Sequence, residues 1–293
     1  MTLTKLAGRH NLVLRKGHNA SILLRLVLNH VQLLWLHCHK LLHGIHRPIV
    51  HYYAVCWNEE RMLPWMFAHY STFVDRFTIY DNYSTDNSET IIKERQDTHI
   101  VKFSMNDHID DSIYQHIKNN CWKRSRGKAD YVIVCDMDEF LYHPDMTAWL
   151  AQAHNQHITL PTTEGYDMYG DTFPVYDGQH QLTDLIHRGL RSQWFDKCLI
   201  FDPHRIVDIN YSAGAHHASP TGIVRRSDNP LKVLHYKHLG VDYLMCRYRQ
   251  LGERLSDYNR KNNYGTHYLA KEEELRAEME KGLSEAINVI DRQ

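Results

Sequence analysis

Apolar runs rich in β-branched and aromatic residues alternate with amphipathic stretches over residues 49–140. Residues 49–57 (IVHYYAVCW) predict a strand that stops at Asn58-Glu59-Glu60. Residues 61–73 have helical patterning, with Pro64 tolerable in a first turn. A second strand, 76–80 (RFTIY), runs into Asp81-Asn82-Tyr83-Ser84-Thr85-Asp86, a polar turn able to cap a helix over 88–96. A third strand over 99–104 precedes a helix over 111–126. Residues 131–135 (YVIVC) are apolar without alternation, as in a strand buried on both faces, and end in Asp136-Met137-Asp138-Glu139-Phe140.

Strand and helix in alternation predict βαβ units, a mainly parallel sheet flanked by helices and hence a Rossmann-like α/β fold. Ligands of such sheets bind beyond the carboxyl ends of the strands, where the three polar clusters fall. The later pattern is less regular, with strands expected at 158–161, 197–201 and 232–236 and helices at 241–261 and 270–290. With no internal repeat and no Pro/Ser/Gly-rich linker, residues 48–293 parse as one domain.

Residues 1–47 differ in kind. No acidic residue occurs before Glu59, while Lys5, Arg9, Arg15, Lys16, Arg25, Lys40 and Arg47 give this arm +7 and leave −8 on the rest. Residues 20–43 (ASILLRLVLNHVQLLWLHCHKLLH) place Arg25, Asn29, Gln32, His39 and His43 at roughly helical spacing beside a broad Leu/Val/Ile/Trp35 face. Only fourteen uncharged residues separate Arg25 from Lys40, short of the about 20 that a span needs. A basic amphipathic helix lying on an anionic membrane surface fits this pattern, and a helix packed on the main domain fits it too. His37-Cys38-His39 does not read as a chelate, because adjacent helical residues point in different directions.

The overall charge of −1 excludes a wholly basic nucleic-acid binder, and the acidic main domain lacks the surface that phosphate backbones need. None of the six cysteines forms a CxxC pair, so reduced thiols in a cytosolic protein are expected rather than a zinc ribbon. Two aspartates leaving a buried strand carry the strongest chemical signal. Paired hard oxygen ligands suit Mn²⁺ or Mg²⁺, which also bind phosphate oxygens.

Asn58-Glu59, the Asp81–Asp86 turn and Asp136-Met137-Asp138-Glu139-Phe140 together resemble family-2-like bacterial glycosyltransferases of the NE, DNxSTD and D(I/M/V)DEF subgroup. Gly165-Tyr166-Asp167-Met168, Asp196-Lys197, Gly214-Ala215-His216, Leu234-His235-Tyr236-Lys237, Arg254-Leu255-Ser256 and His267-Tyr268 extend the resemblance over roughly 49–268. It implies a GT-A fold and metal-dependent, inverting transfer of a sugar from a nucleotide-diphosphate donor, a UDP-sugar first of all. The acceptor would be a glycan or a lipid-linked molecule of surface polysaccharide synthesis, and the location the cytoplasmic face of a membrane.

By the same resemblance Asp81 contacts the nucleobase, Asp136 lies by ribose and metal, and Asp138 is the principal metal ligand. His216 completes the metal or diphosphate site, with His235 as its rival. Asn58 and Glu59 fall to the donor site, and Lys197 and Lys237 are placed to meet phosphate. The catalytic base is open among Glu164, Asp167, Asp171 and Asp196, with Asp196 chosen for its place beside Lys197. A metal-dependent phosphohydrolase using Asp136 as nucleophile is one rival, weakened by Phe140 where that group prefers Thr or Val. A catalytically inactive binding protein that keeps the fold is the other.

Overall fold

A computed structural model of the chain describes residues 11–15 and 17–290. Lys5, Arg9 and Lys16 of the expected basic arm lie outside these residues. Strand β1 (Asn11–Val13) and helix α1 (Asn19–Leu42) come first. Then β2 (Val50–Cys56), α2 (Leu63–Tyr70), β3 (Arg76–Asp81), α3 (Ser88–Lys93), β4 (Thr98–Lys102), α4 (Asp111–Asn120) and β5 (Tyr131–Val134) alternate as the pattern predicts. They build a sheet of order β4-β3-β2-β5 in which all pairs are parallel. The short β9 (Ile200–Phe201) closes its edge, antiparallel to β5.

The rest forms a second sheet from β6 (Glu139–Tyr142), β7 (Thr163–Gly170), β8 (Arg188–Arg191), β12 (Leu231–Leu239) and β13 (Ile287–Asn288), in the order β13-β8-β7-β12-β6. Helices α5 (Met146–Asn155), α6 (Leu182–Leu185), α7 (Val241–Glu253), α8 (Asp257–Lys261) and α9 (Glu272–Glu285) accompany it. A small antiparallel sheet, β1-β11-β10, joins the N-terminal strand to β10 (Ile206–Asp208) and β11 (Thr221–Val224).

The chain passes from the first sheet to the second through Asp136-Met137-Asp138. Packing fixes that turn. Phe140 is fully buried and meets the Tyr236 ring edge-on at 4.9 Å, while the Tyr70 hydroxyl donates to Glu139 O at 2.7 Å and accepts from Leu141 N at 2.9 Å. One core, including Tyr52, Trp65, Tyr70, Phe77, Phe140 and Tyr236, runs through both sheets. The acidic turn is therefore held on a rigid base.

Three sequence expectations need correction. Residues 158–161 are not a strand; Thr159 instead bonds backbone groups of the 223–225 segment. The helix expected over 241–261 breaks after Glu253, because the Ser256 side chain caps a separate α8. The last helix stops at Glu285, and the chain then pairs with β8.

The arm is folded onto the domain. Ile22, Asn29, Leu33, Leu36 and Lys40 form the buried seam of α1, and Lys40 Nζ donates to Asp130 Oδ2 at 2.7 Å. Arg25 pairs with Asp208 and Arg47 with Asp75. Three of the seven arm cations are thus neutralised by the domain itself. The opposite face of α1, with Leu24, Val27, Leu28, Val31, Leu34 and Trp35, is exposed. The most apolar 18-residue window of α1 has a mean hydropathy of 1.2, so the 24-residue helix is long and apolar enough by length and composition to cross a bilayer. The uncharged interval between Arg25 and Lys40 is nevertheless shorter than a span.

Candidate active site

At the C-terminal edge of the parallel strands, between the two sheets, lies a cavity of about 830 Å³. The end of β2 contributes Trp57 and Glu59, the β5–β6 turn Asp136 to Glu139, β7 Asp167 and β12 His235 and Lys237. Residues 212–217, with Trp194 and Phe195, form one wall, and residues 262–268 cover another side.

The two aspartates of the turn have different surroundings. Both oxygens of Asp136 accept from Lys118 Nζ, at 2.7 and 2.8 Å, and Lys197 Nζ is 4.0 Å away. Burial alone would raise its pKa, but these lysines hold it below the ordinary carboxylate range. Asp138 lies 3.4 Å from His235 Nε2, and His235 Nδ1 is 2.7 Å from Asp167 Oδ1. Burial alone would lower the pKa of His235, yet the carboxylates of Asp138 and Asp167 lift it to about 9. Asp138 is in turn held well below its ordinary range, against the upward pull of burial. The same imidazolium draws Asp167 down to about 2, again against burial. Carboxylate, imidazolium and carboxylate thus form a chain across the cavity wall.

Around this chain cations and carboxylates are interleaved. Lys197 is buried and pairs with Glu139, and it also donates to Gly214 O at 3.2 Å. Lys237 Nζ reaches Tyr248 Oη at 3.0 Å. Arg247 donates to Glu59 Oε1 at 2.5 Å and to Asn58 O at 2.9 Å, tying α7 to the end of β2. Burial pushes Glu59 up to about 7 while Arg247 opposes the shift. Of the four lysine and arginine cations on this surface, Lys118, Lys197 and Arg247 are paired with carboxylates, and Lys237 is held by a hydroxyl alone.

Not every residue singled out in the sequence reaches this surface. Asp136, Asp138, Glu59, Lys197, Lys237 and His216 line it; Asn58, Asp81 and Asp196 do not. Asp81 is fully buried, where it accepts from the Ser84 hydroxyl and pairs with Lys102. Asn58 adopts a left-handed backbone (φ 51°), and its side chain caps Thr85 N at 2.7 Å. Asn58 thus ties the loop after β2 to the loop after β3, while Asp81 ties its own turn to β4. Asp196 is held by Arg191 at 2.7 Å and accepts from Gly165 N at 2.8 Å. Of the four sequence candidates for the base, Asp167 alone lines the cavity.

His216 stands against Trp194, ring centroids 4.3 Å apart, with Nδ1 3.1 Å from Trp194 O. Burial and the charge of Lys197 lower its pKa to about 3. His235, not His216, is the histidine that approaches Asp138. Among the described residues Asp136, Asp138 and His216 do not form a ready three-ligand group.

Lys118 and Arg247 escaped the sequence reading, although a signal existed. Asp111, Tyr114, Gln115 and Lys118 recur at helical spacing along α4, and all four line the cavity. Tyr243, Arg247 and Leu251 do the same along α7. Such mixed aromatic and charged stripes resemble solvated helix faces until the partner surface is known.

Of the two aspartates, Asp138 is the better placed to hold a divalent ion. Mn²⁺ and Mg²⁺ take hard oxygen ligands and keep several waters, so one protein carboxylate and ligand phosphate oxygens suffice. Asp138 is partly open to the cavity, and the cation beside it is the His235 imidazolium, which an arriving metal ion would have to displace or deprotonate. Asp136 is already occupied on both oxygens by Lys118.

No protein-family model matches the chain, and no curated protein matches it. Among solved structures it resembles S. aureus TarS, with 10% identity and a TM-score of 0.43 over 79% of this chain and 42% of that one. S. aureus TarS 1-349 in complex with UDP-GlcNAc matches with 10% identity and a TM-score of 0.40, over 75% of this chain and 71% of that one. Likeness at this level adds nothing to the assignment of the site, which rests on its own geometry.

Proposed function

We propose that the protein is a glycosyltransferase that moves a sugar from a nucleotide-diphosphate donor, a UDP-sugar, to a glycan or lipid-linked acceptor. The observation that carries this reading is the Asp136–Asp138 turn in a cavity of mixed charge beyond the parallel strands. A nucleotide diphosphate needs positive charge there: Lys237 supplies it directly, and a divalent ion on the carboxylates would supply the rest. A Mn²⁺ or Mg²⁺ ion on Asp138 would add Lewis-acid stabilisation of the departing diphosphate.

The chain's own residues have separable tasks. Lys118 fixes the Asp136 carboxylate, and His235 orients Asp138 from one side. Asp167 serves as the acceptor's base, in place of Asp196, because it lines the cavity and stays ionised at neutral pH. Its low proton affinity gives it the right protonation state, though a modest driving force. Proton transfer from the acceptor hydroxyl to Asp167 accompanies attack on the anomeric carbon in an inverting reaction.

Membrane association through α1 belongs to the same reading, with a changed physical basis. Arg25, Lys40 and Arg47 are paired with carboxylates of the domain, so the exposed apolar face supplies most of the attraction. The Lys40–Asp130 and Arg47–Asp75 pairs lie at the N-terminal edge of the parallel sheet, opposite the cavity. A cytoplasmic protein lying on the inner membrane face by α1 would keep its cavity open to soluble donors.

The test is a panel of nucleotide sugars screened for metal-dependent hydrolysis and for transfer to lipid-extract and glycan acceptors. Turnover of one donor supports the proposal. Turnover of simple phosphate esters in place of nucleotide sugars supports the phosphohydrolase alternative. Donor binding with no reaction over the whole panel supports the inactive binding protein.

A further inference from the structure

A second group of metal-type side chains lies on the other side of the molecule, where α1 meets the domain. Asp130, immediately before β5, is buried at 3% exposure. Its Oδ2 accepts from Lys40 Nζ and from the backbone N–H of Ile49, each at 2.7 Å. Its Oδ1 is buried with no hydrogen-bond partner. A buried carboxylate oxygen left unsatisfied is costly, and such an orphan calls for an explanation.

Two imidazoles lie beside this carboxylate. His154 on α5 brings Nδ1 to 3.9 Å from Asp130 Oδ1, too far for a hydrogen bond. His37 on α1 completes the group: one ligand atom from each of His37, Asp130 and His154 lies within 4.8 Å of the others. Tetrahedral ligands at 2.0–2.1 Å from a zinc ion stand about 3.3 Å apart, so the three must close by roughly 1.5 Å at most. His37 is exposed and His154 half-buried, which leaves both rings free to make that adjustment.

We propose that His37, Asp130 and His154 bind a zinc ion that clasps helix α1 to the domain. Two imidazole nitrogens and one carboxylate are borderline donors that favour Zn²⁺ over Mg²⁺ or Ca²⁺, and the exposed side leaves room for water as the fourth ligand. Lys40 opposes a cation here, but it occupies the other oxygen of Asp130, and Asp202 adds negative charge near His154. The three ligands come from α1, the residue before β5, and α5, so the ion bridges elements far apart in sequence. The His37-Cys38-His39 triplet thus contributes one ligand, while Cys38 and His39 are exposed.

The experiment is zinc titration of the full-length protein against a chromophoric chelator, without any assay of catalysis. Asp138→Asn serves as background so that the cavity carboxylate does not contribute. One zinc per chain is expected in that background. His37→Ala and His154→Ala, introduced separately, should each weaken binding more than ~100-fold, beyond what loss of an outer partner of a ligand costs. His37 is exposed, so its replacement leaves the fold intact, and circular dichroism checks this for both variants. No zinc bound in the Asp138→Asn background, or background affinity retained in either histidine variant, would overturn the clasp.

Discussion

Two aspartates bracket the same strand and meet opposite fates. Asp130 enters β5 and Asp136 leaves it, and each takes a lysine from a helix: Lys40 of α1 and Lys118 of α4. The Asp130 side chain is 1% exposed and the Asp136 side chain 38%. Asp130 also accepts the Ile49 N–H, so it ties the arm to the sheet. Asp136 opens on a cavity with further cations, where its pair with Lys118 shapes a binding surface. The residue types alone do not separate the two pairs. Their position along a parallel strand does, because ligands gather at the carboxyl end.

This contrast is sharpened first by Lys118→Met. Donor turnover should fall by ~100-fold or more, as loss of a pre-organised charge at a site of charge development does, with a melting temperature close to wild type. Steady-state kinetics and thermal denaturation measured together check it; a turnover loss that simply follows unfolding would erase the distinction between the pairs.

Lys40→Met is the mirror experiment. Removing one partner of a buried pair should destabilise the fold by about 3 kcal/mol, read by chemical denaturation, while turnover per folded molecule stays within a few-fold. Equal stability would mean that the seam of α1 contributes little.

The outer face of α1 follows. Trp35→Ser with Leu28→Ser removes two large exposed apolar groups and should weaken liposome co-sedimentation by about 10-fold or more. Wild-type binding should persist in ~0.5 M salt, because apolar burial is not screened. Loss of binding in salt would instead restore an electrostatic arm.

The smallest effect is one of pH. His235 holds its proton more tightly when folded, with its pKa raised to about 9. Its contribution to stability is therefore complete below about pH 6.5 and is lost as pH rises through 9. Asp138 and Asp167 are depressed, so their contribution is present above about pH 4 and lost as pH falls below it. The metal-free protein should lose a few degrees of melting temperature between pH 6.5 and 9, and His235→Asn should flatten that slope.

The parallel sheet and its acidic turn were legible in the sequence, because β2, β3 and β5 are local apolar runs that end in polar clusters. The second sheet was not. Its pairing of β12 with both β6 and β7 joins segments far apart, and short strands such as β8 and β13 carry little periodicity. Asp136 and Asp138 could be located from the strand they follow. Asp81 and Asn58 were placed at the correct edge, yet their side chains turn to Ser84, Lys102 and Thr85, which depends on how two loops meet. Asp196 was chosen for its neighbour in sequence, while Arg191 and Gly165 claim its carboxylate in space. The amphipathic reading of α1 captured its apolar face, but the burial of Lys40 and Asn29 depends on Asp130 and His204, beyond any local pattern.

The most direct measurement compares nucleotide-sugar turnover by wild type and Asp138→Asn, each with Mn²⁺ and with excess EDTA. Asp138→Asn keeps the size of the side chain and removes its charge in a cavity built around that charge. Turnover by wild type with Mn²⁺, lost by ~100-fold or more both in EDTA and in the variant with an unchanged circular dichroism spectrum, is the predicted result. Full turnover in EDTA together with full turnover by Asp138→Asn would contradict the metal-assisted transferase proposed for this site.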